Sequence, residues 1–324
     1  MPSTLTFVID AIDPGLTPPD AQFAIPGFNL DGVFTDADGA TPRSCSIPDT
    51  ISSLDPTQNC PVDALDGEAR CRTTAGCARG PMCRGGVDNA LPVLIDAFEN
   101  ITSTRLPHGI RPLITQQVRR SRIVYVLRFT GIDSLTSDDS VTLNVYRGFA
   151  TFRDRCESVL PGREYAIDSA SVVDRDLERP TLTPIRGAIR GGRFVTTTPG
   201  TGFSPVIAFD DGTLVEVEAT RVQFAANLRT DGLGQGNFGG LLRGPALASI
   251  LAPLFGTAIV NTIVGGTVDV EEPVPTPGSV VGACRSYAPL APLGNLSVGW
   301  AFTAVPIVLA SEPLASRPVG ACGQ

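Results

Sequence analysis

Apolar and polar positions alternate in the first and last parts of the chain, and this alternation predicts β-strands. In residues 4–12, Leu5, Phe7 and Ile9 alternate with smaller or polar neighbours, which is typical of a strand with one buried face. Residues 296–309 show the same period through the apolar positions around Trp300. We predict that this last strand lies centrally in a sheet, next to the first one.

Two further strands are predicted near the middle of the chain. Residues 121–129 are nearly continuous in β-branched and aromatic residues, and residues 140–149 alternate apolar with polar side chains. The link between them is short and polar. The two segments are therefore predicted to be neighbouring antiparallel strands.

Residues 205–228 carry the strongest hairpin signal, because Asp211 and Gly212 suit the positive φ angles of a tight turn. The apolar positions of the second arm change parity partway along it. They are odd-numbered up to Ala219 and even-numbered from Val222 onwards. An extra residue near Thr220 or Arg221 must shift the exposed face, so we predict a β-bulge or a bend there.

Three segments have helical character. The apolar residues of 87–101 form one stripe after Asp88, which suits an N-cap, and a second short helix is predicted over 112–120. Residues 244–264 are apolar for about the length of a membrane span, but Pro253 and Gly256 interrupt them. We predict a buried helix or a broken helical pair there and no transmembrane span.

Cysteines are concentrated in residues 13–87, a segment that is also dense in proline, glycine and aspartate and has little periodicity. The usual zinc-binding spacings are missing, so we predict that all eight cysteines form disulfides in an oxidising compartment. An odd number in the early cluster requires at least one bridge to the later body, and a bridge from Cys284 to Cys322 is one expectation. The eight are Cys45, Cys60, Cys71, Cys77, Cys83, Cys156, Cys284 and Cys322.

Composition favours a folded, mainly β protein. Hydrophobic residues make up 42% of the chain and charged residues 18%, while 34 glycines and 28 prolines imply many turns and few long helices. We predict an antiparallel β-sandwich, of jelly-roll or concanavalin-like type, with a few covering helices. The prediction treats 1–324 as a single β-rich domain, with 13–87 as a disulfide-pinned excursion stapled onto it.

Net charge argues against a nucleic-acid partner. The formal charge is −8, and all 25 basic residues are arginine, so no strong positive surface is expected for phosphate binding. The N-terminus lacks the basic and apolar regions of a signal peptide. Because the predicted disulfides require an oxidising compartment, we nevertheless expect an extracellular or cell-surface protein whose export signal is absent from this chain. The alternative is a cytosolic protein with reduced thiols.

Calcium is the candidate cofactor, because clustered carboxylate and carbonyl oxygens are the ligands that this ion prefers. The spacing around Gly39 rules out an EF-hand, which leaves an irregular oxygen cage held by the cysteines. The alternative is that these residues form ordinary turns and a helix cap. The candidate ligands are Asp31, Asp36, Asp38, Asp88 and Asn89.

Candidate catalytic residues are few, and we expect no enzyme activity. His108 is the single histidine and hence the only base for a serine or cysteine triad, and the sequence around Ser204 is not a nucleophile elbow. Glu216 and Glu218 could form a glycosidase pair, but their spacing equally suits the solvated face of a strand.

Three stretches carry a family resemblance: GFNLDG (27–32), CRGGVDNALPVLIDAF (83–98) and LSVGWAFTAVPIVL (296–309). In this order, with a cysteine-rich N-terminal third, they resemble uncharacterised secreted or lipoprotein-type families of GC-rich, largely predatory soil bacteria. The resemblance implies an extracellular location and transfers no functional residue. The lipidated cysteine that begins such lipoproteins is not matched here.

Together, these patterns predict a secreted or cell-surface binding or structural protein, with calcium as a candidate stabiliser. Its expected partner is an extracellular protein or a glycan, or another copy of itself. Two alternatives remain open: a self-assembling surface filament or layer subunit, and an extracellular hydrolase.

Overall fold

The computed structural model describes residues 4–13, 27–28, 89, 91, 94–95, 110–151, 158–208, 214–267 and 295–315. The chain divides into two units. The first comprises Met1–Asp13, His108–Phe238 and Ala301–Gln324, and the second comprises Pro14–Pro107 and Gly239–Trp300. All eight cysteines lie outside the described residues, so the disulfide pairing stays a prediction.

Most described residues belong to strands. The strands are β1 Thr4–Asp13, β2 Val124–Thr130, β3 Ser137–Ala150, β4 Glu164–Ile167, β5 Val172–Val173, β6 Asp176–Pro180, β7 Ile185–Arg190, β8 Arg193–Thr198, β9 Gly200–Ala208, β10 Leu214–Arg229, β11 Gly232–Arg243, β12 Asn295–Pro306 and β13 Val308–Leu309. The helices are α1 Ile110–Arg119, α2 Gly244–Phe255 and α3 Thr257–Thr267. Leu91, Leu94 and Ile95 are also helical.

The main sheet closes into an eight-stranded barrel, which lies in the first unit and uses residues 232–238 of β11 and 301–306 of β12. The strand order is β3-β2-β1-β12-β11-β10-β8-β7, and β7 pairs with β3 to close the circle. Thr142 of β3 is opposite Arg186 of β7 on one side and Thr130 of β2 on the other. The prediction of a mainly β, antiparallel protein is confirmed. The sheet is a barrel, however, and not clearly the predicted sandwich, because β3 has a strand partner along both edges.

Five phenylalanine rings fill the barrel interior, one each from β1, β2, β8, β10 and β12. Phe129 is central, with ring centroids 5.1 Å from Phe194 and 6.0 Å from both Phe7 and Phe224, and Phe224 lies 4.8 Å from Phe302. Most of these contacts are edge-to-face, the arrangement that aromatic quadrupoles favour. An eight-stranded barrel is just wide enough for such a filling.

Two interior glycines make room for these rings. A Cβ atom at Gly187 would overlap the ring of Phe194, and one at Gly236 would overlap the ring of Phe302 and lie 2.6 Å from its carbonyl oxygen. Strand glycines often mark such close approaches. The ring packing therefore depends on the absence of side chains at these two positions.

A second apolar core lies on the outside of the barrel. Val8, Val126 and Tyr146 point outwards and are fully buried, where they pack with Tyr165 of β4 and with Val172 of β5. This cover explains why residues 121–129 are nearly continuously apolar. It also corrects the expectation for β1, because Val8 on the second face of the strand is buried as well.

The predicted bulge in β10 is confirmed. Its pairing with β9 shifts register between Ala219 and Val222, and Arg221 has a φ of 51°. The strand pairs with β9 as far as Val222 and with β8 beyond it, where Ala225 faces Val195. The extra residue thus allows this long strand to pair with two different strands while its apolar side chains stay in the barrel interior.

The predicted strand neighbours and the predicted helix over 112–120 are also found, while most of the range 87–101 lies outside the described residues. β1 pairs antiparallel with β12 and with β2, and β2 with β3. Helix α1 buries Ile114 and Val118, and Thr115 donates a hydrogen bond of 3.1 Å to the carbonyl oxygen of Ile12.

The apolar segment 244–264 forms the predicted broken helical pair. Gly256, with a φ of 90°, separates α2 from α3. Leu247, Leu251 and Val260 are buried in this second unit. No helix within the described residues has the length and apolar character that crossing a membrane requires.

Candidate functional site

A surface depression of about 540 Å³ lies at one end of the barrel. Three connections meet there: the loop from β2 to β3, the turn from β7 to β8, and the turn from β10 to β11. We call this depression the rim site. Its lining consists of Leu135, Thr136, Gly191, Gly192, Asn227, Leu228, Arg229, Thr230 and Asp231.

Backbone hydrogen bonds through Gly192 hold the three connections together. Its amide donates to the carbonyl oxygen of Thr136 at 3.2 Å, and its own carbonyl oxygen accepts from the amide of Leu228 at 2.9 Å. Gly191 and Gly192 have φ angles of 58° and 83°, as a tight turn between paired strands requires. Because β7 pairs with β3, this turn is brought against the β2–β3 loop.

Asn227 has a fixed orientation at the edge of the rim site. Its Oδ1 accepts from Nη1 of Arg193 at 3.1 Å, and its Nδ2 donates to Oε1 of Gln235 at 3.0 Å. Nη1 of Arg193 also donates to the carbonyl oxygen of Gln235 at 3.3 Å. Burial lowers the pKa of Arg193, but a guanidinium stays protonated in proteins. The three side chains therefore form a pre-organised polar wall.

Arg229 and Asp231 supply one charge of each sign to the rim site. Nε of Arg229 lies 3.2 Å from Oδ1 of Asp231, and the two side chains are 73% and 71% exposed. An exposed ion pair of this kind contributes little to stability, since water screens it. Both groups can therefore turn towards a ligand at small cost.

The β2–β3 loop beside the rim site is organised by Asp138. The carboxylate accepts hydrogen bonds from the backbone amides of Ser140 at 3.0 Å and of Asp133 at 2.6 Å. Both hydrogen bonds lower the pKa of Asp138, and the bond from Ser140 has the larger effect. Next to it, Asp139 forms an ion pair with Arg190 of β7. The loop is thus held both by the hydrogen bonds of Asp138 within its own turn and by the ion pair of Asp139 with the neighbouring strand.

A second polar group of residues lies on the outer face of the barrel beneath β6. We call Arg128, Asn144, Tyr146 and Glu178 the Arg128 cluster. Nη2 of Arg128 donates to Oε1 of Glu178 at 2.6 Å, and the Tyr146 hydroxyl donates to the carbonyl oxygen of Leu177 at 2.5 Å. These two contacts fasten β6 to the barrel.

The charges of the Arg128 cluster are balanced. Burial acts to lower the pKa of Arg128, but the hydrogen bond and charge of Glu178 outweigh it, and the pKa is raised above its ordinary value. Burial raises the pKa of Tyr146, against the lowering effect of the Arg128 charge. The cluster therefore holds one cation, one anion and a neutral phenol at neutral pH.

Of the predicted calcium ligands, the structure describes only Asn89. Its Oδ1 accepts from the amides of Gly299 at 2.9 Å and of Leu91 at 3.1 Å, and its Nδ2 donates to the carbonyl oxygen of Gly299 at 3.2 Å. Asn89 thus caps the helical segment that was predicted to begin at Asp88.

Asp31, Asp36, Asp38 and Asp88 lie outside the described residues. In the part of the chain that is described, no three histidine, cysteine or acidic side chains come together as a metal site would require. Calcium binding stays a prediction.

Of the candidate catalytic side chains, the structure describes only that of Glu218. His108 lies outside the described residues, as do the side chains of Ser204 and Glu216, while Glu218 is exposed on β10. The hydrolase hypothesis therefore stays a prediction.

Sequence reasoning missed the rim site. Its signals are the Arg190-Gly191-Gly192-Arg193 and Thr230-Asp231-Gly232 turns, which are common turn sequences that do not by themselves indicate a ligand.

Comparisons of the chain with protein-family models, with curated proteins and with solved structures give no match. No relative therefore supplies a ligand or an activity for the rim site.

Proposed function

We propose that the protein is an extracellular binding protein whose rim site takes a small, uncharged, hydroxyl-rich ligand such as a glycan end. The observation that carries this proposal is the convergence of three fixed connections on one depression beside a barrel interior that is filled by side chains. Its volume of about 540 Å³ is within the usual range for small-molecule sites. The cysteine content supports the extracellular location.

The lining chemistry favours hydroxyl groups as the recognised feature. A hydroxyl both donates and accepts hydrogen bonds, and the rim site offers the donors of Arg229 beside the carboxylate acceptor of Asp231. Thr136 and Thr230 add hydroxyls of their own, and Leu135 offers an apolar contact. Because the two charges cancel, a neutral ligand is favoured over an ionic one. The rim lining contains no aromatic ring, so we expect weak affinity.

Saturation-transfer NMR with a panel of neutral mono- and disaccharides tests this proposal. The variant Arg229→Ala/Asp231→Ala removes the ion pair at the rim site. The matched control is Arg179→Ala/Asp174→Ala, which removes an exposed pair with a 2.5 Å contact on the β5–β6 hairpin. We expect at least one saccharide to bind the wild type and the control, and binding to be lost in the rim variant. Binding to no saccharide, or equal binding by both variants, would contradict the proposal.

Self-assembly into a filament or layer is the second candidate. It is favoured by two exposed apolar side chains, Val308 of β13 (53% exposed) and Leu160 in the connection before β4 (43%). Among the described strands, β13 is the last on its side of the sheet. An apolar edge strand can pair with another chain. Sedimentation at micromolar concentration distinguishes the candidates: we expect a monomer, and polymers that dissolve on Val308→Lys substitution would favour assembly.

A further inference from the structure

Asn227 belongs to the lining of the rim site, and both ends of its amide are bound by neighbouring strands. Arg193 is directly opposite it in the pairing of β8 with β10, and Nη1 of Arg193 donates to Oδ1 of Asn227 at 3.1 Å. Nδ2 of Asn227 donates to Oε1 of Gln235 at 3.0 Å. Within the described residues, a second lone pair on Oδ1 and a second hydrogen on Nδ2 remain unused. One amide thus offers the rim site both an acceptor and a donor.

Arg193 determines which end of this amide faces β8. A guanidinium has N–H donors and no acceptor, so only the oxygen of Asn227 can lie against it. The guanidinium is itself held in place, because Nη1 also donates to the carbonyl oxygen of Gln235 at 3.3 Å and Nε is inaccessible to solvent. In the described part of the chain, no carboxylate pairs with Arg193. Its charge therefore acts on the oxygens of Asn227 and Gln235.

Gln235 holds the amide from the other side. Its φ of 47° lies in the left-handed region, which residues other than glycine adopt rarely. Strained backbone of this kind is concentrated at functional sites. In this conformation the carbonyl oxygen of Gln235 accepts from Arg193, while its side-chain oxygen accepts from Asn227. A reversed Asn227 amide would place N–H groups of Arg193 and Asn227 against each other, so a single orientation is favoured.

We propose that Arg193 is a positioning residue that makes Asn227 the specificity-determining residue of the rim site. With the amide fixed, one ligand group must donate to Oδ1 and a neighbouring group must accept from Nδ2. Two adjacent hydroxyls meet both requirements, whereas an acceptor-only group at the first position would set two acceptors against each other. This selectivity rests on the proposed function of the rim site, and it distinguishes between two hydroxyls of the same ligand.

NMR of the isotope-labelled protein without ligand tests the orientation of Asn227. In the wild type we expect one set of side-chain amide signals, with NOEs from the Nδ2 protons to the Gln235 side chain. Arg193→Met removes the donors, so we expect two sets of signals or the loss of these NOEs. Arg193→Lys keeps donors without an acceptor and should retain the wild-type signals.

The matched control is Arg186→Met, which replaces an exposed arginine of β7 outside the rim lining and should leave the Asn227 signals unchanged. If Arg193→Met does not fold, Arg193→Gln takes its place with the same expectation, because glutamine offers an acceptor as well as a donor. One unchanged set of signals in the folded variant would overturn the role of Arg193.

Sugar binding tests the selectivity itself. The probes are the monodeoxyfluoro derivatives of D-glucose and D-galactose, since fluorine resembles a hydroxyl in size and cannot donate a hydrogen bond. We expect one derivative to bind the wild type about threefold to tenfold more weakly than its parent sugar, because it loses the bond to Oδ1 of Asn227. The derivative at the neighbouring position should lose much less. This difference should disappear in Arg193→Met and persist in Arg186→Met.

Equal losses at both positions in the wild type, or an unchanged difference in Arg193→Met, would overturn the selectivity. The two experiments also separate it from the proposed function. Absence of binding by every saccharide, with Asn227 oriented as described, would contradict the proposed function and uphold the positioning role of Arg193. Sugar binding together with unchanged amide signals in Arg193→Met would uphold the proposed function and overturn that role.

Discussion

At the scale of single residues, the packing of the barrel interior depends on the absence of a side chain at Gly236. Substitution Gly236→Ala would place a methyl group against the ring and the carbonyl oxygen of Phe302. We expect the free energy of unfolding to fall by about 1–3 kcal/mol, as overpacked cores do. Gly234→Ala is the control on the same strand, because nothing lies within 4 Å of its Cβ position. Urea unfolding measures both variants, and equal stability of the two would show that the ring is not packed against β11.

Asp138 gives the β2–β3 loop a defined pH dependence. Its pKa is lowered in the folded protein by the amides of Ser140 and Asp133, so folding favours the ionised form. The stabilisation is therefore complete above the unfolded pKa of about 4 and is lost as the pH falls through the folded value. We expect Asp138→Ala to be less stable than the wild type at pH 7 and the difference to shrink in acid. A difference that stays constant from pH 7 to pH 2 in urea unfolding would contradict this role.

At the scale of elements, the β10 bulge sets which face of the strand is buried. Deleting Arg221 would shift the residues on one side of the bulge by one position and turn the face with Phe224 away from the barrel interior. We expect the deletion variant not to fold.

The matched variant for this deletion is Arg221→Gly. It keeps the extra residue and relieves a positive φ that costs other residues about 1–2 kcal/mol, so it should be as stable as the wild type or more stable. Circular dichroism and thermal unfolding measure both variants. A deletion variant that melts like the wild type would show that the bulge does not set the register.

The bulge shows what local patterns can predict. The apolar positions on either side of Thr220 change from odd-numbered to even-numbered, so this change can be recognised from the local sequence alone. The broken helical pair at Gly256 was predicted for the same reason. The capping residue was missed by one position, because Asp88 and Asn89 are both good caps and only the contacts of Asn89 with Gly299 distinguish them.

At the scale of the whole molecule, local patterns do not distinguish a barrel from a sandwich. Both architectures have strands that alternate inward and outward side chains. The difference between the two architectures is the pairing of β3 with β7, a strand distant in sequence from β2, which pairs with the other edge of β3. Nothing in the sequence of either strand specifies this partner by itself. The rim site follows from this closure, since β7 brings Gly192 to Thr136. Its backbone contributions could not be found from residue types alone.

The central claim is that β3 is paired along both edges, which closes the barrel and creates the rim site. A NOESY spectrum of the isotope-labelled protein tests it at Thr142, which lies opposite Thr130 on one side and Arg186 on the other. If the barrel is closed, the backbone of Thr142 gives cross-strand NOEs to both residues. NOEs to Thr130 alone, with Arg186 showing none, would mean that the sheet is open at this edge and would contradict both the barrel and the rim site.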